Sequence, residues 1–257
     1  MEKIQLTYDH EGAVAHIVLN APRGNVLDRQ MMTEIREVLE SFWEQSHLKL
    51  IVFSGAGDHF SYGASVEEHR REEVSQMLTA FHSLFYFLMR LNIPLLAKIS
   101  GFCLGGGLEL ALMCNFLFAD KSARLGQPEI TLGVFAPPAS ILLPLKIGYT
   151  RAEELLLTGK TISAAEAHEL GLLNGVYDTR EELDEAVEQF IIQHILPKSA
   201  SSLQFAARAA RSAFYDVLSK KLHELQQLYI EKLMQTHDAN EGIQAFLEKR
   251  KPQWKDE

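Results

Sequence analysis

The segment Ile99-Ser100-Gly101-Phe102-Cys103-Leu104-Gly105-Gly106-Gly107-Leu108-Glu109 runs from an apolar stretch through a glycine cluster into a helical pattern that carries a carboxylate. The first amides of a helix lack intrahelical acceptors and sit at the positive end of its dipole. Glycine removes the side chain that would hold a ligand away from them. Together these features suit an anion, or an oxyanion that develops during a reaction. A phosphate loop needs Lys and then Ser or Thr after the glycines, where this chain has Leu108 and Glu109, and the GxGxxG spacing of a dinucleotide loop is absent. Close helix–strand packing through glycine is the competing use of the same residues. Glu109, in the first helical turn, likewise fits either a dipole-favoured helix start or an acid–base role.

A second carboxylate tips that balance. Leu125-Gly126-Gln127-Pro128-Glu129-Ile130 sets Glu129 just after a Gly/Pro turn and before an apolar segment. Two carboxylates facing one apolar site suit the addition of water, one taking a proton from water and the other delivering one to carbon. Burial and mutual repulsion raise at least one pKa, which allows an acid and a base to coexist at neutral pH. In His59-Phe60-Ser61-Tyr62-Gly63-Ala64-Ser65-Val66, the small residues Gly63, Ala64 and Ser65 again permit close backbone approach, although an ordinary polar loop has the same composition.

The elements that must position these groups are legible from periodicity. Ile4–Thr7 and Ala13–Leu19 read as strands around a turn, and Asp28 caps a helix running to about Glu44. Leu50–Phe53 and Leu95–Ile99 are buried strands that bracket a helix over Val74–Leu91; a helix from about Leu108 to Met113 and a strand over Phe116–Ala119 follow. This alternation predicts an α/β domain with mostly parallel strands. After about Ala136 the pattern is almost wholly helical, with long helices expected over Ser199–Phe214 and Val217–Met234 and a short one ending near Glu248. The change near residue 195 divides the chain into an α/β core, 1–195, and a helical appendage, 196–257, joined through Leu196-Pro197-Lys198-Ser199-Ala200.

Composition narrows the function further. The 257 residues are 47% hydrophobic, enough to bury a sizeable core. With 34 acidic and 25 basic residues and a net charge of −9, the chain has no basic block of the kind that neutralises phosphates, so no nucleic-acid partner is expected. Two cysteines, Cys103 and Cys114, make neither a disulfide framework nor a zinc site and read as buried free thiols. The 10 histidines are scattered without HExxH or Cys/His spacing, so no metal is expected; His69 and His82 read as surface or capping residues. No apolar run approaches the ~20 residues of a membrane span, and the first residues lack the apolar core of a signal peptide, so a cytoplasmic location is expected.

The ordered set FSYGAS, GFCLGGGLEL, GQPEI and FLEKRKPQW resembles the enoyl-CoA hydratase/isomerase (crotonase) family over the whole chain. The resemblance implies a crotonase-like ββα spiral with a C-terminal helical trimerisation region. It implies an oxyanion hole from the backbone amides of Ala64 and Gly106, with Glu109 and Glu129 as catalytic carboxylates acting on an acyl-CoA thioester. No separate cofactor is implied, because coenzyme A is part of the substrate. The assembly implied is a homotrimer or a dimer of trimers, and the stripe Leu222, Leu225, Leu228, Tyr229 and Leu233 exceeds what an isolated appendage buries. In relatives the tail contacts CoA from a neighbouring subunit, a part open here to Phe246, Lys249 and Trp254, as is simple packing.

Two departures from the common family pattern bear on the acyl pocket. Ser65 stands where many members have Asp, and Val134-Phe135-Ala136-Pro137-Pro138-Ala139-Ser140 replaces a glycine-rich loop. HFSYGASVEEH, GQPEITLGVFAPPAS and Met234–Trp254 are similar to a narrower group, the hydratases of cyclic dienoyl-CoA thioesters. That similarity implies 1,4-addition of water to cyclohexa-1,5-diene-1-carbonyl-CoA in anaerobic benzoyl-CoA breakdown, with Ser65, Val66, Gly105, Phe135 and Pro137 lining the pocket. A general enoyl-CoA hydratase, or an isomerase of another cyclic or branched acyl-CoA, is the alternative. A non-catalytic, RNA-associated relative fits poorly with the acidic balance and the complete carboxylate pair.

Overall fold

Strands β1 (Ile4–Asp9) and β2 (Val14–Leu19) form an antiparallel pair, after which the Asp28 carboxylate caps α1 (Arg29–Ser41) by accepting the Met31 N–H at 3.0 Å. These are features of a computed structural model that describes residues 1–257. Helix α1 closes in a 3-10 turn, Phe42–Glu44, so the expected helical reach to Glu44 holds with a tightened last turn. β3 (Leu50–Gly55) leads to α2 (Val74–Leu91), which stops at Asn92 in the left-handed conformation. β4 (Leu95–Ile99), β5 (Phe102–Leu104), α3 (Gly106–Leu112), β6 (Phe116–Asp120) and β7 (Arg124–Gly126) follow. Then come α4 (Pro137–Ile147), α5 (Tyr149–Thr158), β8 (Thr161–Ser163), α6 (Ala164–Glu169), β9 (Gly175–Tyr177), α7 (Arg180–Phe190), α8 (Ala200–Glu231) and α9 (His237–Leu247).

Six strands make one sheet in the order β1-β2-β3-β4-β6-β9, parallel throughout except at β1–β2. Successive side chains of a strand face opposite ways, and both faces here are covered. On β3, Ile51 and Phe53 enter the main core with α1 and α2, whereas Leu50 and Val52 pack with Leu183, Val187 and Ile191 from α7 and the turn that follows it. Burial on both sides explains why Leu50–Phe53 reads as a continuous apolar run and why Leu95–Ile99 is broken only at Lys98, which reaches out to Asp184.

A second sheet, β5-β7-β8, gives the chain its spiral. Each turn lays a strand in the large sheet, steps sideways into a short strand, and returns through a helix. β4, β5 and α3 make one such turn, and β6 and β7 begin the next. The turn before them has no named short strand; a single parallel bridge, Ser61 to Cys103, stands in its place between β3 and α2. The short strands were not expected from sequence, and β8 and β9 contradict the almost wholly helical reading after Ala136. Three residues are too few to display an alternating pattern.

The C-terminal region departs from expectation in two further ways. One unbroken 32-residue helix, α8, replaces the two expected over Ser199–Phe214 and Val217–Met234. No Gly or Pro interrupts Tyr215-Asp216-Val217, and Asp216 pairs with Lys220 at 2.8 Å one turn on. The helix also lies on the α/β core of its own chain. Leu218, Leu222 and Tyr229 are fully buried there, with Leu225 and Leu233 packed alongside, and only Leu228 of the expected stripe stands largely exposed. Arg211 fastens α8 by donating to Met113 O at 2.6 Å and to Cys114 O, just beyond the end of α3. The tail folds back too: the Trp254 ring lies against Gly133 and Gly242, and Arg250 donates to Glu241 at 2.5 and 2.9 Å. Cys103 and Cys114 are buried free thiols. No helix is long and apolar enough to cross a membrane.

Candidate active site

The site forms where the first two turns of the spiral meet. Ser61 donates its N–H to Phe102 O at 3.0 Å and accepts Leu104 N–H at 3.0 Å, locking the two glycine-bearing segments side by side. Its hydroxyl donates to Asn25 O at 2.7 Å and accepts Gly63 N–H at 3.0 Å. Asn25, buried, donates from its amide to Ala56 O at 2.9 Å and to His59 O at 2.8 Å, which fixes the loop that leads in.

Leu27 bridges to Ala64 by bonding its neighbours, Leu27 N–H to Gly63 O at 2.9 Å and Ser65 N–H to Leu27 O at 3.3 Å. In a parallel bridge of this kind the middle residue points its own amide the other way. Ala64 N–H is thereby left without a backbone acceptor and faces Gly106, whose N–H opens α3 and has no intrahelical partner. The spacing is tight: a methyl group at Gly106 would sit 3.0 Å from Ala64 N, and one at Gly63 would sit 3.1 Å from Gly106 N. Gly105 adopts φ 50°, ψ −129°, a conformation open only to glycine, and any side chain there would meet Glu129 Oε1 at 2.6 Å. The amides of Ala64 and Gly106 thus lie close together, neither with a backbone acceptor.

Both glutamates reach the same cavity, of about 70 Å³, which also holds Gly105, Gly106 and Ala64 in its wall. Glu109 projects from the first turn of α3, and its Oε1 accepts Ala139 N–H at 2.8 Å. Glu129 lies in a 3-10 turn, Pro128–Leu132. With its amide in the orientation that satisfies both ends, the buried Gln127 donates to Glu129 Oε1 at 3.1 Å and Oε2 at 2.9 Å. Burial pushes the Glu129 carboxyl up from 4.5 to about 7. Burial first, and repulsion from Glu129 second, raise Glu109 well above the usual carboxylate range, against the Ala139 amide that favours its charge. The two titrate as a pair, which holds a proton at neutral pH and so presents an acid and a base together.

Of the other residues expected on the pocket, Val66, Gly105, Phe135 and Pro137 line it. Ser65 does not. Its N–H turns to Leu27, and its carbonyl takes the His69 ring, Nδ1 to O at 2.7 Å, so it acts from behind the wall. His69 itself faces the cavity rather than solvent, and burial lowers its pKa, keeping it neutral. His82 is buried as well, with Nδ1 at 2.7 Å from Gln226 Oε1. Neither is the surface or capping residue expected. Sequence reasoning also missed Tyr229, which enters the pocket from α8, and the supporting residues Asn25 and Gln127. Gln127 lies inside a quoted motif and was open to notice; Tyr229 carries no local signal.

A larger cleft of about 470 Å³, lined by Asp58, His59, Ser100, Asp120, Arg124 and Arg180 among others, has Phe102 as its one apolar side chain. Its polar lining offers little apolar surface to an acyl group, whereas the Glu109–Glu129 cavity is walled mainly by hydrophobic side chains and is the better candidate for chemistry on such a group.

A spiral of ββα turns, two amides aimed at one point and a buried carboxylate pair define an acyl-CoA hydratase of the crotonase type, and the chain belongs to the enoyl-CoA hydratase/isomerase family, whose model matches residues 9–257. Over 251 residues, 98% of this chain and 96% of the relative, it is 41% identical to a cyclohexa-1,5-dienecarbonyl-CoA hydratase of Thauera aromatica. It is 34% identical over 249 residues, 96% of each protein, to a probable enoyl-CoA hydratase of Mycobacterium bovis. A crystal structure of an enoyl-CoA hydratase from Bacillus anthracis superposes with a TM-score of 0.78 at 33% identity, covering 99% of this chain and 100% of that one. The protein is a hydro-lyase acting on acyl-CoA thioesters, with the crotonase fold and a C-terminal helical region.

Proposed function

We propose that the protein adds water to cyclohexa-1,5-diene-1-carbonyl-CoA to give 6-hydroxycyclohex-1-ene-1-carbonyl-CoA, a step in the anaerobic breakdown of benzoyl-CoA. The observation that carries the hydratase chemistry is the convergence of Glu109, Glu129 and the free amides of Ala64 and Gly106 on one buried cavity. The ring substrate is supported by similarity to the T. aromatica hydratase along almost the whole chain and by the stiff apolar wall that Phe135 and Pro137 form.

In this reading the thioester oxygen lies between Ala64 N–H and Gly106 N–H. When the proton shared by the pair rests on Glu129, Glu109, its Oε1 already accepting an amide, takes a proton from water as the water oxygen bonds to the β-carbon, C2. The π pair of C1=C2 moves toward the thioester oxygen, where the two amides stabilise the charge; one such donor is typically worth about 100- to 1000-fold in rate. The electrons return through C6=C5, Glu129 delivers its proton to C5, and the new double bond lies between C1 and C6. Atoms balance as substrate plus water, and no separate cofactor takes part.

The functional unit in this reading is a homotrimer or a dimer of trimers, supported by the large exposed apolar side chains of Tyr149, Leu157 and Phe205. Buried free thiols accord with a reducing cytoplasm. The test is incubation with cyclohexadienoyl-CoA and with crotonyl-CoA in D₂O, read by mass and by the position of the label. Preference for the ring substrate by about tenfold or more in kcat/KM, with deuterium at the γ-carbon, is expected. Preference for crotonyl-CoA, or label at the α-carbon, would leave the family standing and overturn the substrate.

A further inference from the structure

We propose that Tyr229 is a third catalytic side chain, whose hydroxyl holds the oxygen of the water that adds to the substrate and of the hydroxyl group it becomes. The inference rests on the hydratase reading above and adds to it a residue from the C-terminal helix.

The observation is an unpaired hydroxyl in a place where unpaired hydroxyls are costly. Tyr229 is 1% exposed, its phenol oxygen has no hydrogen-bond partner, and its side chain lines the cavity that contains both glutamates. Buried polar groups are almost always paired, and an exception calls for a function or a missing ligand. The ring is not loose: it packs on Phe135, centroid to centroid at 5.2 Å. Burial, and then the negative charges of Glu129 and Glu109, raise its pKa, so the phenol stays protonated and can both donate and accept.

The other polar groups of the cavity are already committed. Ala139 N–H occupies Glu109 Oε1, and Gln127 holds the Glu129 carboxylate. The amides of Ala64 and Gly106 face the position of the thioester oxygen. His69, neutral, gives its one N–H to Ser65 O and keeps only an acceptor. Tyr62, the other hydroxyl in the lining, is 42% exposed. A water that gives one proton to Glu109 must be held by its oxygen if its lone pair is to aim at the β-carbon. Tyr229 supplies the one buried neutral donor for that oxygen. After the C–O bond forms, the same bond passes to the product hydroxyl, and no proton leaves the tyrosine.

The experiment compares wild type with Tyr229→Phe, which keeps the ring and its contact with Phe135. Hydration of cyclohexadienoyl-CoA is followed by product mass and that of crotonyl-CoA by loss of conjugated absorbance, binding of the unreactive cyclohexanecarbonyl-CoA by calorimetry, and stability by thermal melting. A fall in kcat of about 10- to 100-fold is expected, with KM and the affinity for the saturated thioester changed less than about threefold. Removing an unpaired buried hydroxyl is also expected to raise Tm, by about 2–4 °C. Turnover within about twofold of wild type, or an affinity loss that accounts for the whole effect, would overturn the proposal. A wild type that hydrates neither thioester would instead bring down the hydratase reading on which it depends.

Discussion

Replacing Glu129 by Gln should make the protein more stable at alkaline pH and less active at every pH. Burial raises this carboxyl from 4.5 to about 7 in the folded state, so between those values the native chain binds more protons than the unfolded one. Stability therefore falls as pH rises through that window, in contrast to a salt-bridged carboxylate. Raising a pKa from 4.5 to about 7 costs about 3 kcal/mol once the group is fully ionised, and roughly 2.5 kcal/mol of that develops between pH 5 and pH 8. Gln keeps the shape and the polar contact with Gln127 but has no charge to desolvate. Urea denaturation of both proteins at pH 5 and pH 8, at one protomer concentration, gives the comparison. The stability of Glu129→Gln relative to wild type should rise by about 2–3 kcal/mol from the lower to the higher pH. Parallel pH profiles would show that Glu129 is solvated in the native state, and its place in a buried acid–base pair would be lost.

Three more outcomes follow from the geometry. Because turnover needs one proton shared by the Glu109–Glu129 pair, kcat should pass through a maximum with pH, its acidic limb near 7, and a profile flat from pH 5 to pH 9 would contradict the paired acid–base role. Gly106→Ala places a methyl 3.0 Å from Ala64 N and 3.2 Å from Phe81 Cζ, filling the space between the two amides; kcat/KM should drop about 100-fold or more in steady-state assays while the circular dichroism spectrum is kept. Arg211→Met retains the stem but leaves the carbonyls of Met113 and Cys114 without the guanidinium, so stability should fall by about 2–3 kcal/mol, visible as a Tm lowered by roughly 5 °C or more.

The sequence made local features legible and left relations between distant segments hidden. Val74–Leu91 and Leu95–Ile99 have the bounds expected, because an apolar stripe and a doubly buried run are written in consecutive residues. Glu109 and Glu129, with the amides of Ala64 and Gly106, were named from glycine spacing and from family motifs, and the structure brings all four together. Ser65 was misplaced, because which way a loop backbone turns depends on a bridge to Leu27, far away in sequence. Phe102–Leu104 and Arg124–Gly126 are strands through pairing with each other and with the distant Thr161–Ser163 and Ser61 segments. Tyr229 and His69 become pocket residues through the packing of helices and turns from different parts of the chain, which no local periodicity records.

Helix α8 touches the machinery at two separated points, Arg211 behind α3 and Tyr229 in the acyl cavity, about 27 Å apart along its axis. The two amides and the two glutamates all lie between Ala64 and Glu129, whereas part of the cavity wall comes from residue 229. The cavity is thus closed by two stretches of chain that lie far apart in sequence. A shift of α8 along or about its axis would move the Tyr229 ring in the cavity while the amides and the glutamates stay in place, and Arg211 holds the helix against such a shift. A seated C-terminal helix is therefore a condition for a complete cavity, and not only a buttress behind it.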